Sequence, residues 1–402
     1  MSPPKDRPLI IFLGAGKPPI GSWHQRIKML HKGFSDAQYR FIHLVPYFAP
    51  TYASLKISPP YIHYCLKPVK KRKRNIFTLL KSIWGTVKAA VYIYKAKNVA
   101  FIIIPGLNFL QGFAGLMAAK LKNIRVYAEI ADEYAFLNTE QKRSAIDRLA
   151  KYNQLAYEKF ILKKVSKIFV FTSYLENKYK KMFPHKNNII RTTPSLIDLK
   201  TYDALINENI KDIAQPNISL LDSDKLKFVY AGACNRTNGL FFFLDAAAKA
   251  KHQHGHDFLI FFFMAYGNVD KVVRYCETKK LTENVFFFEP VPFRFIPAIY
   301  SKADILVLPE HGNIIANAGF PGKTSELLAS GKAILATNFS DLKYYLKNTD
   351  NAMIAEVGDS ETYLKNLLKL LTDDSLRKQI GIKGRQTALQ YFNCADGIKN
   401  YL

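Results

Sequence analysis

The sequence predicts an α/β protein of two Rossmann-like, doubly wound domains that face a cleft. Short apolar runs, typical of buried parallel strands, alternate with helical stretches along most of the 402 residues. This alternation begins twice with an apolar run that ends in a glycine loop. Leu9–Leu13 leads into Gly14 near the start of the chain, and Lys227–Tyr230 leads into Gly232 near its middle. Doubly wound sheets bind ligands at the carboxyl ends of their strands, so we expect the cleft there.

The first domain begins with Leu9–Leu13, and a helix from about Ser22 to Gly33 follows its loop. The uncharged stretch Val99–Ala119 is long enough to span a membrane. Its Pro105-Gly106 pair and its small residues instead favour a strand, a turn and a helix. The other predicted strands are Arg40–Val45, Ala100–Ile104, Arg125–Ile130 and Lys167–Phe171.

The region from about Ser195 to Asp224 has weak periodicity and predicts an interdomain connection. We therefore predict an N-terminal domain over residues 1–200, a connector over 201–224 and a C-terminal domain over 225–385. A C-terminal helix over 386–402 is expected to return to the N-terminal domain. The predicted elements of the second domain are strands at Lys227–Tyr230, Phe258–Met264, Asn284–Phe288, Asp304–Leu308 and Ala333–Thr337, and helices at Leu240–Lys251, Ser325–Ser330 and Glu361–Tyr391.

Positive charge is concentrated in the first half of the chain. The protein has 58 Lys and Arg residues, 32 Asp and Glu residues and a net charge of +26. Residues 1–200 hold 35 of the cations and 10 of the acids, a net charge of +25, and no acidic residue lies between Asp36 and Glu129. This asymmetry indicates that the first domain meets an anionic partner, usually nucleic acid or a membrane surface.

The most informative motif runs from Phe320 to Thr337 and contains Pro-Gly-Lys-Thr-Ser-Glu before an apolar strand. Its Pro-Gly turn opens a helix near Lys323, and a helix N-terminus with an added ammonium suits a diphosphate. Glu326, one turn further on, can accept hydrogen bonds from two adjacent hydroxyls, as on a ribose, and Gly331 ends the helix. The alternative is an ordinary capped helix packed on a strand.

This motif resembles the nucleotide-sugar site of GT-B glycosyltransferases, particularly glycosyltransferase family 4. Three segments resemble other parts of that family in matching order: Phe228–Gly232, Val285–Pro292 and Ala303–Pro309. The resemblance implies a nucleotide-sugar donor, no metal and retention of anomeric configuration. It also implies that the donor is bound by Glu326, Gly232, Gly322, Thr324, Val291 and Phe320.

Two positions depart from the family pattern. A second glutamate, common eight positions before the ribose glutamate, is replaced by Ala318, which leaves open a transferase-like protein without activity. The family also places an Arg and a Lys after the glycine that opens the second domain. Arg236 matches the first, but the second falls on Asn238 or Gly239. We therefore expect Arg236 and Lys323 to stabilise the leaving diphosphate.

The first glycine loop contains Gly14, Gly16 and Gly21 and fails the dinucleotide spacing, because position 19 is proline. The family resemblance implies that this loop faces the cleft. An ordinary strand-to-helix turn is the alternative.

Three acids, Glu129, Asp132 and Glu133, follow one another at a predicted strand end. We interpret Asp132 and Glu133 as candidate catalytic residues that orient or deprotonate an acceptor hydroxyl. They could equally balance nearby lysines or cap the next helix.

No metal or cofactor is expected. Asp222-Ser-Asp224 matches the pattern of a metal-binding D-x-D motif. It precedes a strand within a polar stretch, however, and this position predicts a solvated turn. The four cysteines lie far apart without ligand spacing, which argues against zinc and favours a reduced, cytosolic setting.

The segment from Lys67 to Arg74 has six cations in eight residues, and an amphipathic stretch containing Trp84 follows it. A basic run joined to such a helix suits an anionic membrane interface. A solvated loop beside a sheet-covering helix is the alternative, and a nucleic-acid patch is less favoured because no nucleic-acid module is present. The predicted membrane contacts are Lys70, Lys71, Arg72, Lys73, Arg74 and Trp84.

Together these features predict a transferase that moves a sugar from a UDP- or GDP-linked donor to a lipid-linked glycan in cell-envelope polysaccharide synthesis. We expect it in the cytoplasm, attached peripherally to the inner face of the cytoplasmic membrane. The rival interpretation is a nucleic-acid-binding α/β protein.

Overall fold

The computed structural model describes residues 6–14, 22–46, 62–66, 76–132, 145–234, 237–310 and 318–402. These residues form two compact units. The first takes its residues from Met1–Leu196, Ala318–Gly322 and Cys394–Leu402, and the second from Ile197–Asn317 and Lys323–Asn393. Each unit is built on one parallel sheet, which confirms the predicted fold class.

The first unit contains a seven-stranded sheet with the order β3-β2-β1-β4-β5-β6-β7, in which all neighbouring strands are parallel. Its central strands are apolar on both faces, as expected for a sheet covered by helices on both sides. The strands are β1 (Leu9–Leu13), β2 (Arg40–Val45), β3 (Ile62–Tyr64), β4 (Val99–Pro105), β5 (Arg125–Ile130), β6 (Lys167–Val170) and β7 (Ile189–Arg191).

Helices cover both faces of this sheet. They are α1 (Ser22–Asp36), α2 (Ile76–Lys95), α3 (Phe109–Lys120), α4 (Ala145–Ala156) and α5 (Ser173–Met182), and a π-helical turn (Tyr157–Ile161) continues α4. One face packs against α2, α3, the π-helical turn and α5, and the other packs against α1 and the chain's last residues.

The uncharged stretch Val99–Ala119 forms a strand, a turn at Gly106 and a helix, as predicted. The backbone φ of Gly106 is +75°, a value that glycine adopts readily. Asn108 caps α3 by accepting a hydrogen bond from the Gln111 amide. Among the described residues, no helix is long and apolar enough to cross a bilayer.

The second unit contains a six-stranded parallel sheet with the order β10-β9-β8-β11-β12-β13. The strands are β8 (Leu226–Ala231), β9 (Phe258–Phe263), β10 (Val285–Phe287), β11 (Ile305–Leu308), β12 (Ala333–Asn338) and β13 (Met353–Glu356). The helices are α6 (Leu199–Ala204), α7 (Thr237–His252), α8 (Val269–Thr278), α9 (Ile296–Lys302), α10 (Thr324–Ala329), α11 (Ser360–Thr372) and α12 (Asp374–Phe392); α13 (Cys394–Gly397) belongs to the first unit.

The predicted connector and the predicted C-terminal helical stretch have different boundaries in the structure. Residues 201–224, predicted as a connector, lie in the second unit and include most of α6 and two 3-10 helices (Ile210–Asp212 and Ile218–Asp222). The single helical stretch predicted over Glu361–Tyr391 is two helices. It breaks at Asp373, whose side chain caps α12 by accepting from the Leu376 amide at 2.8 Å.

A buried ion pair holds the first unit together. Arg26 of α1 donates from Nε to Glu129 Oε1 at 2.8 Å, and its Nη2 donates to the Tyr401 hydroxyl at 2.9 Å. Its Nη1 donates to the carbonyls of Thr193 and Pro194 at 2.7 and 3.2 Å. The Tyr401 hydroxyl also donates to Glu129 Oε2. Both carboxylate oxygens of Glu129 are therefore engaged within the unit.

We predict that Glu129→Ala destabilises the first unit by about 3–5 kcal/mol, because it leaves the Arg26 guanidinium buried without its partner. The matched control is Asp36→Ala, which removes an exposed i,i+4 partner of Lys32 on the same helix α1 and should cost about 0–1 kcal/mol. Urea unfolding followed by tryptophan fluorescence reports on this unit, since both tryptophans, Trp23 and Trp84, precede residue 196. Equal losses in the two variants would contradict a stabilising role for the pair.

Candidate active site

The strand order of the second sheet reverses between β8 and β11, where doubly wound sheets bind ligands. Hydrogen bonds fix the backbone at both strand ends. Gly232 follows β8, and its amide donates to the Phe263 carbonyl at 2.9 Å. Glu310 follows β11, and Thr337 Oγ1 both accepts from its amide and donates to its carbonyl at 2.8 Å. The edge of the sheet at this switch point is therefore well defined.

Lys323 places a positive charge at the carboxyl end of β8. Its Nζ lies 4.0 Å from the centroid of the Tyr230 ring and donates to the Ala231 carbonyl at 3.2 Å. A methyl group on Gly232 would lie 2.6 Å from this nitrogen. Glycine at 232 therefore leaves room for the ammonium group beside the backbone, where it can meet an anion.

The family's second cation after this glycine cannot stand at position 239. Gly239 lies in the first turn of α7, and a Cβ there would lie 2.3 Å from the carbonyl oxygen of Pro309 and 3.0 Å from Cα of Glu310. Both are backbone atoms, which cannot move aside as the end of a side chain can. Of the two positions considered from the sequence, only Asn238 remains. Lys323 supplies a cation at the carboxyl end of β8.

Glu326 lies one turn into α10, and its amide donates to the Lys323 carbonyl at 3.0 Å. Burial raises the pKa of its carboxyl group to about 8, and the positive charge of Lys323 opposes part of that rise. Tyr202 and Tyr300 are electrostatic neighbours, and their own pKa values are raised by burial and then by Glu326. Such a carboxyl group exchanges its proton near neutral pH and can accept hydrogen bonds from hydroxyls when ionised.

Tyr202, which lies on α6 within the predicted connector, was not among the residues predicted for the site. Its side chain is 4% exposed, and its hydroxyl has no hydrogen-bond partner among the residues that the structure describes. The next residue, Asp203, accepts two hydrogen bonds of 2.7 Å from Arg385 Nη2, and Arg385 Nη1 donates to the Ala329 carbonyl. These contacts tie α6 to the end of α10. An aromatic residue in a six-residue helix gives no periodic signal, so the sequence could not reveal this neighbour.

The helix that carries Glu326 is short but firmly placed. α10 has six residues, so its dipole is small and the positive charge here comes mainly from Lys323. Gly331 has a φ of +67° and ends the helix, as predicted. A methyl group on Gly381 of α12 would lie 2.0 Å from the Gly331 carbonyl oxygen, so the two backbones pack in direct contact.

The start of the motif, residues 318–322, belongs to the first unit. Thr172 Oγ1 donates to the Ala318 carbonyl at 3.1 Å, and Ser195 Oγ donates to the Gly322 carbonyl at 2.7 Å. Ala318, which replaces the family's second glutamate, is 1% exposed, and Phe320 is half-buried. The donor contacts expected of Gly322 and Phe320 stay predictions.

Val291 and Thr324, two further donor-binding candidates, have buried side chains. The amide of Val291 donates to the thioether of Met264 at 3.3 Å. A contact between the Val291 backbone and a nucleotide base would therefore use the carbonyl group of Val291. Thr324 is the first residue of α10. Their roles in donor binding stay predictions.

Of the first glycine loop and the acidic candidates, Gly14 and Asp132 lie among the described residues. The Gly14 amide donates to the Leu44 carbonyl at 3.2 Å, and a methyl group on Gly14 would lie 2.8 Å from Cγ of Pro105, so close packing alone requires glycine there. Asp132 is exposed, two residues after β5 ends. The candidates outside the described residues are Gly16, Gly21, Glu133, Arg236, Lys70, Lys71, Arg72, Lys73 and Arg74.

The segment Asp222-Ser-Asp224, which matches the D-x-D pattern, lies on an exposed turn, as predicted. Asp222 is the last residue of a 3-10 helix and pairs with Lys302 Nζ at 2.8 Å. Within the described ranges, no three His, Cys, Asp or Glu side chains are grouped so that they could hold a metal ion.

Most of the second unit is similar to a known protein family. Residues 212–387 match the family Glycosyl transferases group 1, and this range includes Gly232, Lys323 and Glu326. An uncharacterized glycosyltransferase of Methanocaldococcus jannaschii is 21% identical over 406 residues, covering 98% of this chain and 96% of the relative. The finer resemblance to family 4 stays a prediction.

Solved structures resemble the whole chain. Sucrose-phosphate synthase from Thermosynechococcus elongatus has a TM-score of 0.67 at 15% identity and covers 96% of this chain and 95% of its own. HepE of Anabaena, solved with UDP and glucose, has a TM-score of 0.69 at 13% identity, with 97% of both chains covered. These likenesses confirm the predicted fold, two parallel-sheet α/β domains of the GT-B type.

The raised pKa of Glu326 predicts a specific dependence of stability on pH. Between about pH 4.5 and about pH 8 the folded state keeps a proton that the unfolded state has lost, so the free energy of unfolding falls as pH rises through this window. Glu326→Gln removes the titration and should become progressively more stable than the parent toward pH 8. Urea unfolding at pH 5, 6.5 and 8 measures the difference, with Glu361→Gln, an exposed residue of α11, as control. Parallel profiles for parent and Glu326→Gln would contradict it.

Proposed function

We propose that the protein is a nucleotide-sugar-dependent glycosyltransferase with a UDP- or GDP-linked donor, because residues 212–387 match the family Glycosyl transferases group 1. We further propose a lipid-linked glycan as acceptor, in cell-envelope polysaccharide synthesis, with retention of anomeric configuration. The observation that carries the donor assignment is the Lys323 ammonium held at the end of β8 beside Gly232, with Glu326 one turn further on.

Lys323 suits the diphosphate of the donor. The carbonyl of Ala231 and the face of Tyr230 fix its nitrogen in the second unit, so little reorganisation is needed when charge develops nearby. The short α10 adds a small dipole contribution. Arg236, which follows the same glycine loop in the sequence, is proposed as the second cation on the leaving group.

Glu326 suits the ribose. The carboxyl group of Glu326 is half-buried and has a pKa of about 8, so its charged form is disfavoured in the folded protein. A strongly shifted pKa of this kind is more typical of a functional residue than of a purely structural one at the surface. Two neighbouring hydroxyls would favour the ionised form by donating hydrogen bonds to it. HepE of Anabaena, of the same fold, was solved with UDP-glucose, which supports a uridine donor among the candidates.

In the proposed transfer, the bond between the anomeric carbon and the diphosphate oxygen breaks, and its electron pair stays on that oxygen. Lys323 and Arg236 stabilise the resulting charge. The acceptor hydroxyl oxygen forms the new bond, and its proton passes to a carboxylate. Asp132 and Glu133 are proposed for this role, since Asp132 is exposed just after β5. We propose that these side chains suffice without a metal ion.

The charge distribution supports the proposed acceptor and location. The +25 of residues 1–200, against +1 for the rest, supports an anionic partner on the first unit. We propose that the protein works in the cytoplasm, peripherally attached to the inner face of the cytoplasmic membrane through Trp84 and the Lys70–Arg74 run.

A panel of UDP- and GDP-sugars, assayed for release of the nucleoside diphosphate with and without a polyprenyl-diphosphate-linked glycan, tests the donor and acceptor assignments. We expect release with one nucleotide, stimulated by the lipid-linked acceptor. Salt-sensitive DNA binding with no release from any donor would instead favour the nucleic-acid interpretation.

We predict that Glu326→Ala weakens binding of the matching nucleoside diphosphate by about 1.5–3 kcal/mol, roughly tenfold to a hundredfold, because a hydrogen bond to a charged group is lost. Isothermal titration calorimetry measures it. Glu361→Ala, which removes an exposed carboxylate of the same unit, should leave the affinity unchanged. Unchanged affinity in Glu326→Ala would rule out the ribose assignment.

We predict that Lys323→Met lowers kcat by roughly 10²–10³ and weakens donor binding less, because its charge matters most as the diphosphate leaves. Lys343→Met, a change to an exposed lysine of the same unit, is the control. EDTA should leave the parent's rate unchanged. Equal losses in donor affinity and kcat, or abolition of activity by the chelator, would contradict the assignment.

A further inference from the structure

The outer layer of helices on the first unit presents an unusual surface. α3 packs between α2 on one side and α4 with its π-helical turn on the other. The inward side chains of this layer form part of the unit's core. We call the outward side chains of residues 80–94, 113–121 and 149–160 the three-helix face.

The three-helix face is strongly apolar. On α2, Trp84, Val87 and Val91 follow one another at helical spacing, and Trp84 is 57% exposed. α3 continues the surface with Phe113, which is 50% exposed, and α4 adds Leu149, which is 69% exposed. Large apolar side chains exposed on three packed helices mark a surface that binds something.

Aromatic contacts join the strips of neighbouring helices. The Phe109 ring lies 6.0 Å from that of Phe113 on the same helix and 6.2 Å from that of Phe160 on the π-helical turn. Phe113 and Phe160 are both half exposed, so the apolar surface is continuous from α3 to the π-helical turn.

The charges on α2 and α3 have one sign. Neither α2 nor α3 contains an acidic residue, and Lys81, Lys88 and Lys95 on α2 are exposed. Lys88 Nζ lies 5.7 Å from the centroid of Trp84, and Lys159 Nζ lies 5.5 Å from that of Phe160. Lysine ammonium groups beside exposed aromatic rings are common among residues that lie at a bilayer surface.

We propose that the three-helix face docks the protein on an anionic phospholipid bilayer, with the apolar strips in the headgroup boundary and the lysines on the lipid phosphates. This rests on the proposed membrane location and names the surface responsible. Interfaces with other proteins are depleted in lysine, and a symmetric contact with a second copy would set these lysines against one another. A lipid surface supplies the opposite charge and accepts the apolar side chains.

The test uses the full chain in flotation assays with vesicles of phosphatidylcholine alone or with 30 mol% phosphatidylglycerol. Phe113→Gln with Met117→Gln changes α3, and Leu149→Gln with Tyr152→Gln changes α4. The matched control, Ile382→Gln with Leu389→Gln, alters equally exposed apolar residues of α12 in the second unit. None of these residues belongs to the Lys70–Arg74 run or to the donor site.

We expect the parent to float only with the anionic vesicles and to be released by raised salt. Each helix-face pair should lower the vesicle partition coefficient about tenfold or more, while the control pair leaves it unchanged. Trp84 emission should shift to the blue on binding, and Trp84→Phe should lose most of that shift.

Equal partition by parent and by both face variants would overturn the proposal, as would equal binding to both vesicle types. A parent dimer that the face variants convert to monomer, with no vesicle binding, would show that the face serves self-association instead. Nucleoside diphosphate affinity, measured by calorimetry on the same preparations, separates these outcomes from failure of the proposed donor site.

Discussion

The first unit depends on one buried ion pair. Removing Arg26 and Glu129 from water is costly, and the structure offsets that cost by giving the guanidinium a partner on every side. Those partners come from β5, from the carbonyls of Thr193 and Pro194, and from Tyr401 near the end of the chain. The chain leaves this unit after residue 196, contributes residues 318–322 to it, and returns for its last stretch at residue 394. The same guanidinium therefore fixes the backbone shortly before the departure and the hydroxyl shortly after the return, which closes a unit whose sequence is discontinuous.

In the second unit, three glycines allow the close backbone approaches on which the proposed site depends. Gly232 lets the Lys323 ammonium reach the end of β8, and Gly239 lets α7 begin against the backbone after β11. Gly381 lets α12 contact the turn that ends α10. At each of these positions a side chain would collide with a backbone atom or with the site's own cation. The proposed donor site is thus defined by where backbones approach closely, and its charged residues occupy the space that remains.

Much of this arrangement could be predicted from the sequence, because it depends on local patterns. The buried strands, the helix stop at Gly331 and the juxtaposition of Lys323 and Glu326 all follow from spacing within one element or one loop. Tyr202 and the Arg26–Glu129 pair could not be predicted in this way. Tyr202 reaches Glu326 from a six-residue helix about 120 positions earlier in the chain, and Arg26 and Glu129 are 103 positions apart. Contacts of that range follow from the topology of the sheets, which local periodicity does not encode.

The positive charge of Lys323 and those of the exposed α2 lysines act over different distances and are screened by salt to different degrees. Lys323 is half-buried against an aromatic ring and a carbonyl group, so its interaction with a diphosphate is short-ranged and only weakly screened by salt. The lysines of α2 are solvated, and they attract a charged surface collectively and only within about 10 Å at ordinary ionic strength. The half of the chain that holds the proposed donor site has a net charge of only +1, so affinity of that site for an anionic donor has to come from a few fixed groups. The +25 of the other half therefore requires a different explanation, and a large anionic partner is the one that its distribution over exposed helices supports.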